Sequence, residues 1–164
     1  MFRRVDISGV PGRLLLHSMP GRFEAIEKVW QQVRSEAVRA IVCLAEGHEI
    51  RLKSWQYAQA VESGSVPCAV FRFEVREGGV PEDRDGFWEL ANGVACRLRR
   101  GEAVLVHCAG GVGRTAMFAV SVLLALGEPI NEAERLVSRA GSTVETTAQM
   151  EMLSWCAARA RVKR

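Results

Sequence analysis

The run His107-Cys108-Ala109-Gly110-Gly111-Val112-Gly113-Arg114-Thr115 sets a thiol and a guanidinium six residues apart around a glycine-rich turn. Upstream, Ala103-Val104-Leu105-Val106 is short and β-branched-rich, as a buried strand is. Downstream, Ala116 to Leu126 is apolar on nearly every face and long enough for a buried helix. A turn between two such elements points successive backbone N–H groups inward, and the unpaired amides and dipole of the helix's first turn favour an anion in the hollow. Gly110, Gly111 and Gly113 permit the backbone angles this requires. The same field lowers the Cys108 thiol well below its usual ~8.5, leaving a thiolate at neutral pH. Arg114 can grip two oxygens of a phosphoryl group, and the Thr115 hydroxyl can donate to the sulfur. Among Cys43, Cys68, Cys96, Cys108 and Cys156, only Cys108 has an Arg six residues on. The bland alternative is a glycine-rich turn that happens to bury a cysteine.

These residues resemble the signature of the cysteine-dependent protein tyrosine and dual-specificity phosphatases: His-Cys, five residues, Arg, then Ser or Thr. The resemblance implies a two-step reaction in which the cysteine attacks phosphorus and water then hydrolyses the cysteinyl phosphate. Under it Cys108 is the nucleophile and Arg114 the phosphate clamp. Thr115 assists release of the sulfur, and His107 braces the loop. Ala109, Gly110, Gly111, Val112 and Gly113 supply the phosphate-binding backbone, and neither metal nor cofactor is required. In some relatives a second cysteine on the strand near Cys43 protects the nucleophile. That position falls on Leu44 here, which turns Cys43 to the other face.

A departing alkoxide or phenoxide needs a proton from a positioned acid. Phe71 to Val75 alternates as a strand does and runs through Arg76 and Glu77 into the Gly78-Gly79-Val80-Pro81 turn. The stretch resembles the family's acid loop, with Glu77 at the position of the usual Asp, one methylene longer. Asp83 and Asp85 are rival donors, and the alternative for Glu82 to Asp85 is a solvated turn leading into a helix. A third resemblance lies at Val144-Glu145-Thr146-Thr147-Ala148-Gln149, where Glu145 and Gln149 match the polar loop that orients the hydrolytic water. Thr146 with Gln149 also reads as a capping box opening the last helix, and both readings can hold at once.

Around these loops, strands are expected at Arg3 to Ile7, Leu14 to His17, Arg39 to Ala45, Ala69 to Val75 and Ala103 to His107. Phe23, Ile26, Trp30, Val33 and Ala37 recur at helical spacing. Further helices are expected at Ser54 to Glu62, Asp85 to Arg99, Ala116 to Leu126, from a cap at Asn131 to Ala140, and from Thr147 to Arg159. Strands alternating with helices give an α/β fold with a central, mostly parallel sheet covered on both faces, the phosphate loop lying between a central strand and a buried helix. The resemblance points to the compact kinase-associated type of dual-specificity phosphatase.

The 164 residues, 48% hydrophobic and 25% charged, suit one catalytic domain over residues 1–164. A net charge of +3 is mild. Its clusters at Arg97, Arg99 and Arg100 and at Arg159, Arg161, Lys163 and Arg164 read as a solvated helix face and a terminus, so no nucleic-acid partner is expected. No secretory leader is apparent, and the longest apolar run is too short to span a bilayer, so no membrane partner is expected either. Free cysteines fit a reducing, cytoplasmic setting. The expected substrate is a phosphorylated protein or peptide carrying phosphotyrosine or, in a shallow cleft, phosphoserine or phosphothreonine; a monomer suffices. Two alternatives stay open. One is a phosphoinositide or small-molecule phosphate hydrolase, disfavoured because Arg114 is the only cation in the loop. The other is a phosphoprotein-binding module without an effective acid.

Overall fold

The computed structural model describes residues 1–162; Lys163 and Arg164 of the basic terminus lie outside them. Five strands, β1 (Arg3–Val5), β2 (Arg13–His17), β3 (Val38–Cys43), β4 (Ala69–Arg72) and β5 (Ala103–His107), form one sheet in the order β1-β2-β5-β3-β4. Only β1 runs antiparallel. In the centre, His107 stands level with His17 of β2 and Cys43 of β3, so three parallel strands end together. Ligands of open α/β sheets bind beyond these carboxyl ends, and the loop starting at Cys108 leaves from the middle one.

Strand alternation divides the core. Leu14, Leu16, Val42, Leu44, Val104 and Val106 face one side, whereas Leu15, Ile41 and Leu105 face the other with Val29 and Val33. The first side is covered by α4 (Arg84–Arg99), α5 (Gly113–Leu126), α6 (Ile130–Arg139) and α7 (Thr147–Val162), and the second by α1 (Ile26–Ser35) and α3 (Trp55–Ser63). A short α2 (Gly47–Lys53) follows β3. Helix α5 is buried on every face down to Leu124, as its uniformly apolar sequence demands. The expected covered, mostly parallel sheet is present.

Several boundaries differ from the sequence reading. Helix α1 starts at Ile26, with Phe23 in the preceding turn at 67% exposure and Ala37 beyond the end at φ 50°. Pro129 precedes α6 with no side-chain cap, so Asn131 lies inside the helix rather than capping it. Strand β4 stops at Arg72; beyond it the chain follows β3 through Phe73 N–H to Cys43 O at 2.9 Å and Val75 N–H to Leu44 O at 3.0 Å. Helix α2 was not expected. It rests on a capping box in which Glu46 and Glu49 each accept from the other's backbone N–H, a local signal in a stretch too short for helical periodicity.

Candidate active site

The loop from Cys108 to Val112 closes over the end of β5 and delivers the chain into α5. Cys108 Sγ accepts from Gly111 N–H at 3.3 Å and from the Thr115 hydroxyl at 3.2 Å. Burial is the largest influence on this thiol and opposes its ionisation. The Thr115 hydroxyl, the Arg114 charge and the backbone N–H groups of Thr115 and Gly111 together outweigh it and hold the thiol below its ordinary value. The N–H groups of Ala109, Gly110, Val112, Gly113 and Arg114 find no backbone or side-chain acceptor among the described residues, so the loop holds a set of uncommitted donors that an anion can use. Gly111 is obligatory: its φ is +74°, and a Cβ there would lie 2.4 Å from the His17 carbonyl oxygen.

Arg114 is buried and aimed. Its Nη1 donates to Glu49 Oε2 at 2.8 Å and to the Val75 carbonyl at 2.7 Å, and its Nη2 to Glu49 Oε1 at 2.9 Å. A guanidinium has five N–H donors in a fixed fork. Three are spent on Glu49 and Val75, which leaves one on Nε and one on Nη2, side by side, for two oxygens of a tetrahedral anion. Burial works against the Arg114 charge, and Glu49, the Cys108 thiolate and Glu77 more than offset it. Glu49 itself is disfavoured as an anion chiefly by burial, yet its bonds to Arg114 and to the Glu46 backbone hold its carboxyl below the usual range. Sequence reasoning missed Glu49 because its helix was missed; the Glu46-to-Glu49 spacing was the available signal.

His107 is fully buried, with Nδ1 2.9 Å from the Cys108 carbonyl oxygen and Nε2 2.7 Å from the Tyr57 hydroxyl. A carbonyl only accepts, so Nδ1 carries the proton and Tyr57 donates to bare Nε2. Burial drives the imidazole down to about 4, which keeps it neutral. The ring therefore braces the carbonyl of the cysteine residue. Tyr57 is as buried as Phe87 and Trp88, whereas Trp55, at 56% exposure, is open to solvent. On the neighbouring strand end Leu44 packs in the core cluster that contains Cys108, whereas Cys43 packs with Met19, Ile26 and Tyr57 on the opposite face.

The candidate acid loop begins at Val75, whose carbonyl is bound to Arg114. Glu77 is exposed and near enough to act on the Arg114 charge. Asp83 instead caps α4, accepting from Gly86 N–H at 2.9 Å, and Asp85 pairs with Arg159 at 2.6 Å. The loop is tied from below: the Thr146 hydroxyl donates to the Gly78 carbonyl at 3.1 Å and Gln149 Nε2 to the Gly79 carbonyl at 3.2 Å. Gln149 Oε1 accepts from Glu145 N–H at 2.8 Å, and Gln149 N–H donates to the Thr146 hydroxyl at 3.2 Å. The capping reading of this segment is thus half realised, since the Gln149 side chain returns to Glu145 rather than to Thr146. Both ends of the Gln149 amide are engaged. The exposed Glu145 carboxylate lies over the start of α5, where a Cβ on Gly113 would be 2.1 Å from its Oε2. A cleft of about 650 Å³ is lined by Arg72, Phe73, Arg76, Val80 and Asp83. Among the described residues no three or more His, Cys, Asp or Glu side chains converge as a metal-binding set.

An ionisable thiol, uncommitted loop amides and a guanidinium with two free donors at the carboxyl end of a central parallel strand define a cysteine-dependent phosphatase site. Comparison with known proteins agrees. Residues 17–128 match the family described as "Polymorphic toxin system, DSP-PTPase phosphatase", and the chain belongs to this family of cysteine-based protein phosphatases. Cyclin-dependent kinase inhibitor 3 of Rattus norvegicus is 30% identical over 83 residues, 48% of this chain; the match covers 39% of that protein. The active form of Tk-PTP is similar at a TM-score of 0.74 and 26% identity, covering 96% of this chain and 97% of its own. Kinase-associated phosphatase bearing a serine in place of its catalytic cysteine is similar at 0.83 and 17% identity, with 98% and 96% covered. PTPMT1 in complex with PI(5)P is similar in fold at 0.76 and 19% identity, with 99% and 97% covered. Among the described residues no helix is long and apolar enough to cross a membrane.

Proposed function

We propose that this chain, as a single catalytic domain, hydrolyses phosphotyrosine and also phosphoserine and phosphothreonine monoesters on protein or peptide substrates. The observation that carries the reading is the pairing of Cys108 Sγ, held by Gly111 and Thr115, with the two uncommitted N–H donors of Arg114. The Cys108 thiolate attacks phosphorus as the P–O bond to the substrate breaks, and Glu77 gives its proton to the leaving oxygen. Loop amides and Arg114 hold the equatorial oxygens as charge shifts onto them. In the second half, water attacks the cysteinyl phosphate, a proton passes to Glu77, and the Thr115 hydroxyl stabilises the returning thiolate. Gln149 supports this cycle by fixing the acid loop through Gly79, and Glu145 borders the water's approach. The mechanism needs a free thiol and so a reducing compartment.

A peptide substrate is favoured over a phosphoinositide because Arg114 is the only side-chain cation in the loop, whereas several ring phosphates need more. The test is hydrolysis of p-nitrophenyl phosphate and of phosphotyrosine, phosphoserine and phosphoinositide substrates, with mass-spectrometric trapping of phosphorylated Cys108. Cys108→Ser must abolish turnover while keeping phosphate binding. Binding without turnover in the wild type would return the chain to the class of phosphoprotein-binding modules, and preferential turnover of the lipid would overturn the substrate assignment.

A further inference from the structure

We propose that Arg3 and Ser142 are positioning residues of the phosphate loop: from its rear they hold the Gly111 carbonyl and thereby aim the Val112 N–H into the anion hollow. Arg3 lies on the edge strand β1. Strand alternation puts it on the same face as Val5, which packs in the core beneath α5 and α6. Its Nη2 donates to the Gly111 carbonyl at 2.7 Å, while Nη1 donates to Ser142 Oγ and to the Ala140 carbonyl, both at 2.9 Å. Ser142, buried in the turn between α6 and α7, donates its own hydroxyl proton to the same Gly111 carbonyl at 2.7 Å. Two donors from opposite ends of the chain thus converge on one loop oxygen.

The consequence follows from peptide geometry. The Gly111 carbonyl and the Val112 N–H belong to one planar trans peptide, in which C=O and N–H point in opposite directions. Holding the oxygen at the rear directs the hydrogen to the front, where Val112 N–H has no acceptor among the described residues. This peptide turns about the Cα–C bond of Gly111, and without a side chain there little else restrains it. The turned-over peptide would present a carbonyl oxygen to an incoming phosphate and repel it. The Arg3 charge also acts on the Cys108 thiolate, so the latch adds a second guanidinium behind the loop to the one in front.

The inference rests on the phosphatase reading, and the experiment separates the two. Arg3→Met, Arg3→Lys, Ser142→Ala and the double variant Arg3→Met with Ser142→Ala are compared with wild type, and with Arg135→Ala, which lies in an exposed ion pair, as control. Three quantities are read on folded protein: competitive inhibition by inorganic phosphate, kcat/KM for p-nitrophenyl phosphate, and the pH dependence of Cys108 alkylation by iodoacetate. Arg3→Met is expected to weaken phosphate inhibition and kcat/KM about tenfold and to move the alkylation midpoint to higher pH, consistent with loss of a charged hydrogen bond. Ser142→Ala costs about threefold, and Arg3→Lys falls between wild type and Arg3→Met. The double variant loses more than the product of the singles, because each donor holds the carbonyl when the other is gone. A merely structural role would lower melting temperature and leave phosphate inhibition and the thiol profile of the folded protein unchanged; that result overturns the proposal. Should Arg3→Met fail to fold, wild-type inhibition in both Ser142→Ala and Arg3→Lys overturns it instead. Turnover surviving in Cys108→Ser would sink the phosphatase reading, whereas a dead Cys108→Ser beside wild-type latch variants would sink only the latch.

Discussion

Glu49→Gln isolates what aiming Arg114 contributes. The substituted amide keeps one acceptor oxygen for the guanidinium but turns an NH₂ group against the other Nη. It also removes the counter-charge from a pair whose side chains are 3% and 6% exposed. Breaking a buried pair by deleting one partner costs ~3–5 kcal/mol. Arg114 retains its bond to the Val75 carbonyl, so the lower end applies: about 3 kcal/mol, a fall of roughly 6–12 °C in melting temperature for a chain of this length. A fork no longer fixed in rotation gives up one of its two phosphate hydrogen bonds. At ~2–3 kcal/mol for a charge-assisted bond, kcat/KM falls roughly 30- to 150-fold. The carboxylate partly neutralises the guanidinium, so its removal exposes Cys108 to a fuller positive charge and the acid limb of the pH profile does not move upward. Steady-state kinetics on p-nitrophenyl phosphate from pH 4.5 to 8, well below the melting temperature, reads both effects. A kcat/KM within about threefold of wild type would refute the aiming argument. So would a loss accompanied by an upward shift of the acid limb, because the variant would then be acting through the thiol.

Acidification is expected to destabilise the fold through His107. Its folded value of about 4 lies below the ordinary 6.5, so the unfolded chain takes up the proton first and stability drains away as pH falls from 6.5 toward 4. About 2 kcal/mol should be gone at pH 5 in urea unfolding, and His107→Asn should flatten that slope. Glu77→Gln should slow turnover of a phosphotyrosine peptide more than that of p-nitrophenyl phosphate, whose leaving group needs less protonation; equal effects on both would remove Glu77 as the acid. Asp83→Asn and Asp85→Asn should show no such leaving-group dependence. Asp83→Ala loses about 1 kcal/mol of stability with the α4 cap, and the exposed Asp85–Arg159 pair is worth less than ~1 kcal/mol. Gly110→Ala should keep the wild-type melting temperature, because its Cβ meets nothing within 4 Å, whereas Gly111→Ala should lower it and abolish activity through the collision with the His17 carbonyl.

The sequence by itself determined the loop, the strand before it and the helix after it, because each is written in contiguous residues: the spacing of Cys108 and Arg114, the apolar run into His107, the all-round apolarity of α5. Strands alternating with helices along the chain likewise announced a sheet covered on both faces. What the sequence left open is set by residues distant along the chain. Glu77, Asp83 and Asp85 stood as rivals at a distance of a few residues. Packing separates their surroundings, giving Asp83 to the α4 cap and Asp85 to Arg159 on the far helix while Glu77 stays beside Arg114. Glu49, Tyr57, Arg3 and Ser142 support the site across 65, 50, 108 and 31 residues of chain. Only the tertiary structure decided these contacts. A side chain's partner is fixed by where the sheet order brings it, and strand order, unlike strand pattern, has no local signature in the chain.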